Sequence, residues 1–407
     1  MGNNIILPQT YILGNGEKSM KIEKMTIDNI NGIKHLDLTF NGGLNLICGE
    51  NGVGKTTIIK AIAYQFSDRK DGFIKKRYDS EKGIVRICSE YDFDYTYEVT
   101  DYTPGFPATK DLPLERAISN DIIYFSSSRN IYYQKVKSIL PSDTEKEIDL
   151  LKDSCELLST GMKEDIKRWL IQRFIFSKLE DSLDEHKINN LNLCKYVFTL
   201  LDNNLSIKTV TPELEIVLKD RKNEIYFEML SDGYKSCIFI LLGIIKEVEH
   251  RLPESNAANF GGIIMIDEID IHLHPQWQSK FVKLLKEIFP RAQIIATTHS
   301  PSVLQNAKAE EIISLYKDEN GNVQIKELNL GEYGLQGWTL EEIMKDVMCM
   351  QSTKSDLYTE TIHKFDIAMS DGNQNEILNN YEILKNMLHP LNPMLQLLEM
   401  QIAEWKN

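Results

Sequence analysis

The spacing of apolar residues changes several times along the chain, and each change predicts a different element. Residues 27–40 alternate apolar with polar positions, as a half-buried strand does, and we interpret them as one N-terminal strand. After a turn at residues 41–43, a short apolar run at 44–48 predicts a buried strand. Residues 55–66 have the spacing of an amphipathic helix. The first part of the chain therefore contains a strand, a glycine-rich loop and a helix in direct succession.

Further along, helical spacing and short apolar runs alternate. Residues 142–203 have a helical period, and residues 206–229 have the pattern of short strands. A helix (234–250), a strand (263–266), a second helix (277–289) and a second strand (293–297) follow. Alternating strands and helices are typical of an α/β fold with a parallel or mixed sheet and flanking helices.

These changes of period divide the chain into five predicted segments. They are an N-terminal arm (1–20), an N-terminal lobe of the core (21–141), a helical insertion (142–205), a C-terminal lobe of the core (206–335) and a helical C-terminal region (336–407). Thr339 and Glu342 have the spacing of a helix capping box at the start of the last segment.

Composition narrows the class of protein. The 407 residues are 42% hydrophobic and 26% charged, with no run of 18 apolar residues and no secretory signal pattern, so we expect a cytoplasmic protein without a membrane segment. Six widely spaced cysteines favour reduced thiols. The net charge of −14 argues against coating of nucleic acid by general positive charge, but it leaves a local contact with DNA or RNA open.

The glycine-rich loop carries the first chemical motif. Residues 49–56 are Gly-Glu-Asn-Gly-Val-Gly-Lys-Thr, which fits G-x-x-x-x-G-K-[ST] between a strand and a helix. Such a loop wraps backbone N–H groups around phosphate at a helix N-terminus, so the predicted ligand is ATP with Mg²⁺. We expect Lys55 to reach the β- and γ-phosphates and Thr56 to hold Mg²⁺. The predicted nucleotide contacts here are Asn51, Gly52, Val53, Gly54, Lys55, Thr56 and Thr57.

A pair of carboxylates follows the next buried strand. Asp267 and Glu268 come directly after the apolar run 263–266, and ligands bind at the carboxyl ends of strands in such sheets. We expect Asp267 to hold Mg²⁺ and Glu268 to polarise the attacking water. The motif thus predicts an ATPase that produces ADP and phosphate.

Two more segments are chemically informative. Residues 230–236 are Leu-Ser-Asp-Gly-Tyr-Lys-Ser before an apolar helix, although by itself this is also the pattern of an ordinary serine-capped helix. His299 lies just after the strand 293–297, in a Thr-Thr-His-Ser sequence (297–300), 31 residues beyond Glu268.

The four motifs together resemble those of the ABC superfamily. In that family the segment at Ser231 and Gly233 is the signature that binds the γ-phosphate of ATP held by a second subunit. The resemblance implies a homodimer or higher homo-oligomer closed over ATP, with His299 as the switch histidine and Asp270 as the D-loop aspartate. It also implies a glutamine that contacts Mg²⁺, for which Gln134 is the nearest candidate, while Arg129 could take a comparable role.

Within that superfamily the chain resembles the RecF-like, SMC-like and OLD-like heads, and most specifically the PtuA-type ATPases of Septu and retron antiphage systems. The resemblance rests on residues 49–57, a Ser-Ser-Ser-Arg segment at 126–129, Asp-Glu-Ile-Asp-Ile-His-Leu-His-Pro at 267–275 and the tail from Gly337. It implies an ATPase that regulates a separate nuclease of the HNH type, since this chain carries no nuclease motif. It also implies that His272 and His274 are structural rather than metal ligands.

Two alternatives remain open at this point. One is a RecF/SMC-like DNA-repair ATPase, and the other is a scaffold that ATP stabilises with little turnover.

Overall fold

The computed structural model describes residues 20–67, 73–89, 94–100, 119–128, 135–139, 154, 157–158, 166–350 and 354–405. It divides into two compact units, Met1–Cys349 and Met350–Asn407. Residues 336–349, part of the predicted C-terminal region, therefore fall within the first unit. In the described part of the chain, no helix has both the length and the apolar character needed to cross a membrane.

Among its described residues the first unit contains thirteen strands and six α-helices of four residues or more, named here in chain order. The strands are β1 (Ile22–Ile30), β2 (Ile33–Thr39), β3 (Leu44–Gly49), β4 (Gly83–Ser89), β5 (Asp94–Val99), β6 (Ile122–Phe125), β7 (Leu205–Val210), β8 (Ile216–Asp220), β9 (Asn223–Tyr226), β10 (Ile263–Ile266), β11 (Gln293–Thr297), β12 (Ile312–Lys317) and β13 (Val323–Lys326). The helices are α1 (Lys55–Phe66), α2 (Ile166–Phe176), α3 (Glu185–Leu201), α4 (Asp232–Arg251), α5 (Pro275–Ile288) and α6 (Pro301–Leu304).

A six-stranded sheet in the order β13-β12-β3-β11-β10-β6 forms the centre of this unit. Every neighbouring pair is parallel except β12–β13. Side chains alternate between its two faces: Ile263 and Met265 of β10 join the apolar cluster that contains α1, and Ile264 and Ile266 join the cluster that contains α4. The predicted α/β class with a mixed sheet and flanking helices is confirmed. Since β11 lies between β3 and β10, the segments that follow these three strands meet at one edge.

The interpretation of residues 27–40 as one strand is wrong. The structure has an antiparallel hairpin, β1–β2, with Ile30 paired to Ile33 across a two-residue turn. Asn31 adopts φ +48°, in the left-handed region that asparagine tolerates, and Gly32 follows it. Asn-Gly between two alternating runs is a strong hairpin signal that the apolar alternation had concealed. The hairpin continues into the sheet β2-β1-β4-β5, which is antiparallel throughout.

The described helices of the predicted insertion pack on α4. Ile166, Trp169, Leu170 and Phe174 of α2 are all buried, as their spacing predicts, and the first three belong to the same apolar cluster as the inner face of α4. The small antiparallel sheet β7-β8-β9 follows α3 and leads to the start of α4. Elements around the N-terminus of α4 are therefore anchored by the insertion helices.

The second unit is helical. Its helices are α7 (Asp356–Asp371), α8 (Gln374–Met387) and α9 (Pro393–Gln401). They enclose a separate apolar core of Phe365, Ala368, Ile377, Tyr381, Leu384, Leu398 and Ile402. The predicted capping box is present, but it precedes a short helical segment in the first unit: Thr339 Oγ1 accepts from the Glu342 N–H, and the Glu342 carboxylate accepts from the Thr339 N–H.

Candidate functional site

The loop between β3 and α1 is built for close approach of its backbone. Gly49, Gly52 and Gly54 adopt φ values of +139°, +73° and +107°, which side-chain-bearing residues rarely adopt. A β-carbon on Gly49 would lie 2.1 Å from the carbonyl oxygen of Leu315 in β12. The loop therefore turns tightly over the sheet edge and leads into the N-terminus of α1, where backbone N–H groups and the helix dipole favour an anion.

Lys55 is the cation of this loop, and it is 4% exposed. Its Nζ donates hydrogen bonds of 2.8 Å to the carbonyl oxygens of Gly49 and Glu50. Burial lowers the pKa of the Lys55 ammonium, while the Cys48 thiol and three nearby carboxyl groups act in the opposite direction. The loop's own carbonyls thus hold the lysine at the place where the loop would enclose a phosphate.

Asp267 lies at the carboxyl end of β10 and is fully buried. Its Oδ1 accepts hydrogen bonds from Thr56 Oγ1 at 3.2 Å and from Thr297 Oγ1 at 2.7 Å. Its N–H donates to the carbonyl oxygen of Phe125 at 2.9 Å. A hydroxyl and a carboxylate are the oxygen donors that Mg²⁺ prefers, and here two strand ends and the first turn of α1 bring them together. The predicted magnesium pair therefore fits the ion chemically.

Glu268 and His299 face one another at the same edge. Glu268 has φ +51°, a strained conformation for this residue, and its Oε1 lies 4.0 Å from His299 Nε2. Both side chains are about one-third exposed, at 31% and 37%. Burial and the Lys55 cation lower the pKa of His299, against the opposing influence of Asp270, Glu268 and Asp267. A neutral imidazole beside a carboxylate can therefore face a ligand held by the loop.

Asp270 fixes the backbone on which His299 is carried. Its Oδ1 accepts hydrogen bonds from Thr298 Oγ1 at 2.7 Å and from the His299 N–H at 3.1 Å. Within its own chain, Asp270 therefore positions the segment that carries His299.

The segment at Ser231 and Gly233 lies on other elements. Ser231 is exposed and caps α4 by accepting from the Tyr234 N–H at 3.5 Å. Its neighbours Gly233 and Ser236 lie against the backbone of residues 271–274. Within the described ranges, no hydrogen bond joins residues 231–236 to residues 49–57. The serine-capped helix is thus present, with Ser231 and Asp232 exposed and no hydrogen bond in the described ranges from its first turn to the chain's own phosphate loop.

The remaining predicted residues are placed as follows. Asn51 and Gly52 form the exposed tip of the loop, whereas Val53 and Thr57 are buried. Gln134 and Arg129 lie outside the described residues. His274 caps α5, since its Nδ1 accepts from the Gln276 N–H, and His272 is exposed with φ +63°.

Thr297 is the first residue of the Thr-Thr-His-Ser segment, and the motifs assigned it no role. It ends β11, and the parallel register that pairs Ile266 with Ala296 places it beside Asp267. A hydroxyl at the end of a strand next to the acidic pair was the available signal, but only the strand order shows that the two strands are neighbours.

Comparison with known proteins gives the family. Residues 44–305 match the family model described as "AAA domain, putative AbiEii toxin, Type IV TA system". The chain is 38% identical to the Septu protein PtuA of Bacillus thuringiensis over 391 residues, which cover 94% of this chain and 98% of that protein. It is 25% identical over 350 residues to a protein of Vibrio cholerae named "Retron Vc95 probable ATPase". The aligned region covers 66% of this chain and 68% of that protein.

Among solved structures, the chain is similar to the SMC head domain from Thermotoga maritima, at 15% sequence identity. The match covers 76% of this chain and all of that one, with a TM-score of 0.43.

Proposed function

The chain belongs to the family of PtuA-type ATPases, and we propose that two copies hydrolyse Mg²⁺-bound ATP between them and so control a separate nuclease in antiphage defence. The observation that carries the hydrolytic part is the meeting of Lys55, Thr56, Asp267, Glu268 and His299 at one sheet edge. A phosphate loop alone would support only binding. The carboxylate and imidazole beside it add groups that can act on water.

In this proposal the chain's own residues have distinct tasks. The glycine backbone and Lys55 bind the phosphates, and Thr56 with Asp267 would hold Mg²⁺, which when bound neutralises charge on the phosphate oxygens. Glu268 polarises the attacking water and accepts its proton. His299 contacts the terminal phosphate, and its lowered pKa keeps the imidazole neutral, so that it can donate one hydrogen bond without an added positive charge.

The proposed role of the second copy depends on the signature segment at Ser231 and Gly233. Ser231 and the first turn of α4 present a hydroxyl, a glycine backbone and a helix N-terminus, and no hydrogen bond among the described residues ties these groups to their own phosphate loop. A symmetric pair would use this surface twice, each signature completing the other copy's site. The homodimer is thus the smallest assembly that contains complete sites.

The proposed partner nuclease rests on the resemblance to the ATPases of Septu and retron systems. The related proteins are named for Septu and retron systems. The proposed effector is a separate nuclease of the HNH type, and any contact with DNA or RNA would be made together with it.

Replacing Glu268 with Gln tests the proposal. We expect turnover of ATP to fall by about 10²- to 10⁴-fold, because the general base is lost, with ATP binding retained. Glu213→Gln, at an exposed position of the β7–β8 turn, is the matched control. Turnover by Glu268→Gln at the rate of the control would overturn the hydrolytic assignment.

Control of the nuclease is tested separately: the ATPase is co-expressed and purified with an HNH nuclease, and cleavage of a plasmid is followed with and without ATP. Cleavage should respond to ATP with the wild type and lose that response with Glu268→Gln. A nuclease that neither binds the ATPase nor changes its activity with ATP would remove the basis for the partner.

A further inference from the structure

Gln278 lies in the first turns of α5 and bridges two loops with its side-chain amide. Its Nε2 donates a hydrogen bond of 2.9 Å to the carbonyl oxygen of Leu273. Its Oε1 accepts one of 2.6 Å from Ser300 Oγ. The amide therefore joins the segment after the acidic pair to the segment after β11, and it lies outside the phosphate loop.

Ser300, which donates to Gln278, makes hydrogen bonds with both its backbone N–H and its hydroxyl. It is 7% exposed. Its Oγ accepts from the Ser302 N–H at 3.2 Å and so caps α6, and its N–H donates to Thr298 Oγ1 at 3.0 Å. Because the hydroxyl proton of Ser300 is directed at Gln278, the position of Ser300 depends on that amide.

His299 is thus fixed on both sides. On the N-terminal side, Asp270 accepts from Thr298 and from the His299 N–H. On the C-terminal side, Ser300 is tied to Gln278. Both attachments originate from the stretch 270–278, so the backbone that carries the imidazole is held by a single segment of the chain.

We propose that Gln278 is a positioning residue for His299, which it holds through Ser300. This inference rests on the proposed function, since it concerns the use of His299 in hydrolysis. Gln278 touches neither Lys55, Thr56 nor Asp267 in the hydrogen bonds of the described residues. Its loss should therefore affect the orientation of the imidazole rather than the binding of nucleotide. Small displacements of a group that acts on the reacting phosphate are costly to rate.

The experiment compares Gln278→Leu with Gln276→Leu. Leucine has a similar size but cannot bridge the two loops, and Gln276 is an exposed glutamine two residues earlier on the same helix. For Gln278→Leu we expect kcat for ATP to fall about ten-fold and KM for ATP to stay within about two-fold of the wild type. Gln276→Leu should match the wild type in both.

A double-mutant cycle with Ser300→Ala identifies the route. If Gln278 acts through Ser300, the two substitutions together should lower kcat no further than about the larger single effect. Ser300→Thr, which keeps the hydroxyl, should recover most of the kcat that Ser300→Ala loses. Losses that multiply in the double variant would contradict the proposed route.

Equal kcat values for Gln278→Leu and Gln276→Leu overturn the proposal, and so does a loss confined to KM. If Gln278→Leu fails to fold, Gln278→Met, which also has no acceptor for Ser300 and no donor for Leu273, provides the same comparison with Gln276→Met. The proposed function has a separate readout, because Glu268→Gln tests hydrolysis itself. Wild-type turnover in Gln278→Leu with none in Glu268→Gln would reject only the positioning role.

Discussion

The hydroxyl of Thr297 donates a hydrogen bond of 2.7 Å to the Asp267 carboxylate and accepts one of 2.7 Å from the Glu268 N–H. One side chain at the end of β11 therefore orients both acidic residues at the end of β10. The first bond fixes the carboxylate that also accepts from Thr56. The second helps to hold Glu268 in its left-handed backbone conformation.

Thr297→Val tests this relationship, because valine keeps the shape and removes the hydroxyl. A hydrogen bond to a charged group contributes about 1.5–3 kcal/mol, so the Mg²⁺ concentration needed for half-maximal ATP turnover should rise by at least about ten-fold. Thr297→Ser, which restores the hydroxyl, should bring it back near the wild-type value. The measurement is a Mg²⁺ titration at saturating ATP. Identical titration curves for Val and Ser would show that the hydroxyl has no such role.

The sequence indicated the main residues of the site but not the hydrogen bonds that hold them in place. The phosphate loop, the acidic pair and His299 each follow a strand, and the order β3-β11-β10 brings these three strand ends together. Thr297 and Gln278 could not be found in this way. Their partners, at Asp267 and Ser300, depend on which strands are neighbours and on how α5 lies against the sheet edge.

Residues 27–40, interpreted as one strand, form a hairpin for a related physical reason. Apolar alternation continues through residues 27–40 because both strands of the hairpin bury the same face, so the period alone does not reveal the reversal. The reversal of the chain depends on the left-handed backbone conformation of Asn31, which the spacing of apolar residues does not indicate.

Mixing two inactive variants tests the pairing over ATP. Lys55→Ala removes the phosphate-loop cation, and Gly233→Asp places a negative charge in the signature. In a mixed dimer, the intact loop of the Gly233→Asp copy meets the intact signature of the Lys55→Ala copy, which gives one complete site. Half the dimers in an equal mixture are mixed, so roughly a quarter of wild-type ATP turnover should return if sites act independently.

The control for this mixture is a pair of variants in the same element. Lys55→Ala mixed with Thr56→Ala leaves no copy with an intact phosphate loop and should stay inactive. Activity that fails to return in the first mixture, with mixed dimers demonstrated by mass, would mean that the signature does not complete a neighbour's site.

Arg251, at the end of α4, is held in a buried ion pair. Its guanidinium donates to Glu247 Oε2 at 3.0 and 3.1 Å and to the carbonyl oxygens of Ser119 and Ile122. Both charged side chains are 2% exposed. Although burial raises the pKa of Glu247, the cations around it hold the pKa below its usual value. The Glu247 carboxylate therefore depends on the two cations beside it, Arg251 and Lys246.

Arg251→Met should lower the free energy of unfolding by about 3 kcal/mol, because it removes the guanidinium that pairs with a buried carboxylate and leaves Glu247 with Lys246, whose Nζ lies 3.3 Å from Glu247 Oε1. The double variant Arg251→Met with Glu247→Leu removes both charges and should recover a large part of that loss. Urea unfolding of the three proteins measures the effect. A double variant less stable than Arg251→Met would contradict the account.

Asp121, next to β6, gives a pH dependence of stability that can be worked out in sign. Burial raises its pKa from 3.8 to about 6, with a smaller opposing influence from Arg251. The native protein therefore binds the Asp121 proton more tightly than the unfolded chain does. As the pH rises from 3.8 through 6, the native state loses stability relative to the unfolded chain, and above 6 the loss is complete. Asn cannot ionise, so Asp121→Asn should escape this loss.

The expected result is a difference between variant and wild type that grows with pH. Between pH 4.5 and pH 8 the unfolding free energy of Asp121→Asn should gain about 2 kcal/mol on that of the wild type. Asp346→Asn, at an exposed position, should show no such growth. Urea unfolding of the three proteins at both pH values provides the comparison. A constant difference would mean that Asp121 is ionised in the native protein throughout this range, with Arg251 offsetting the cost of its burial.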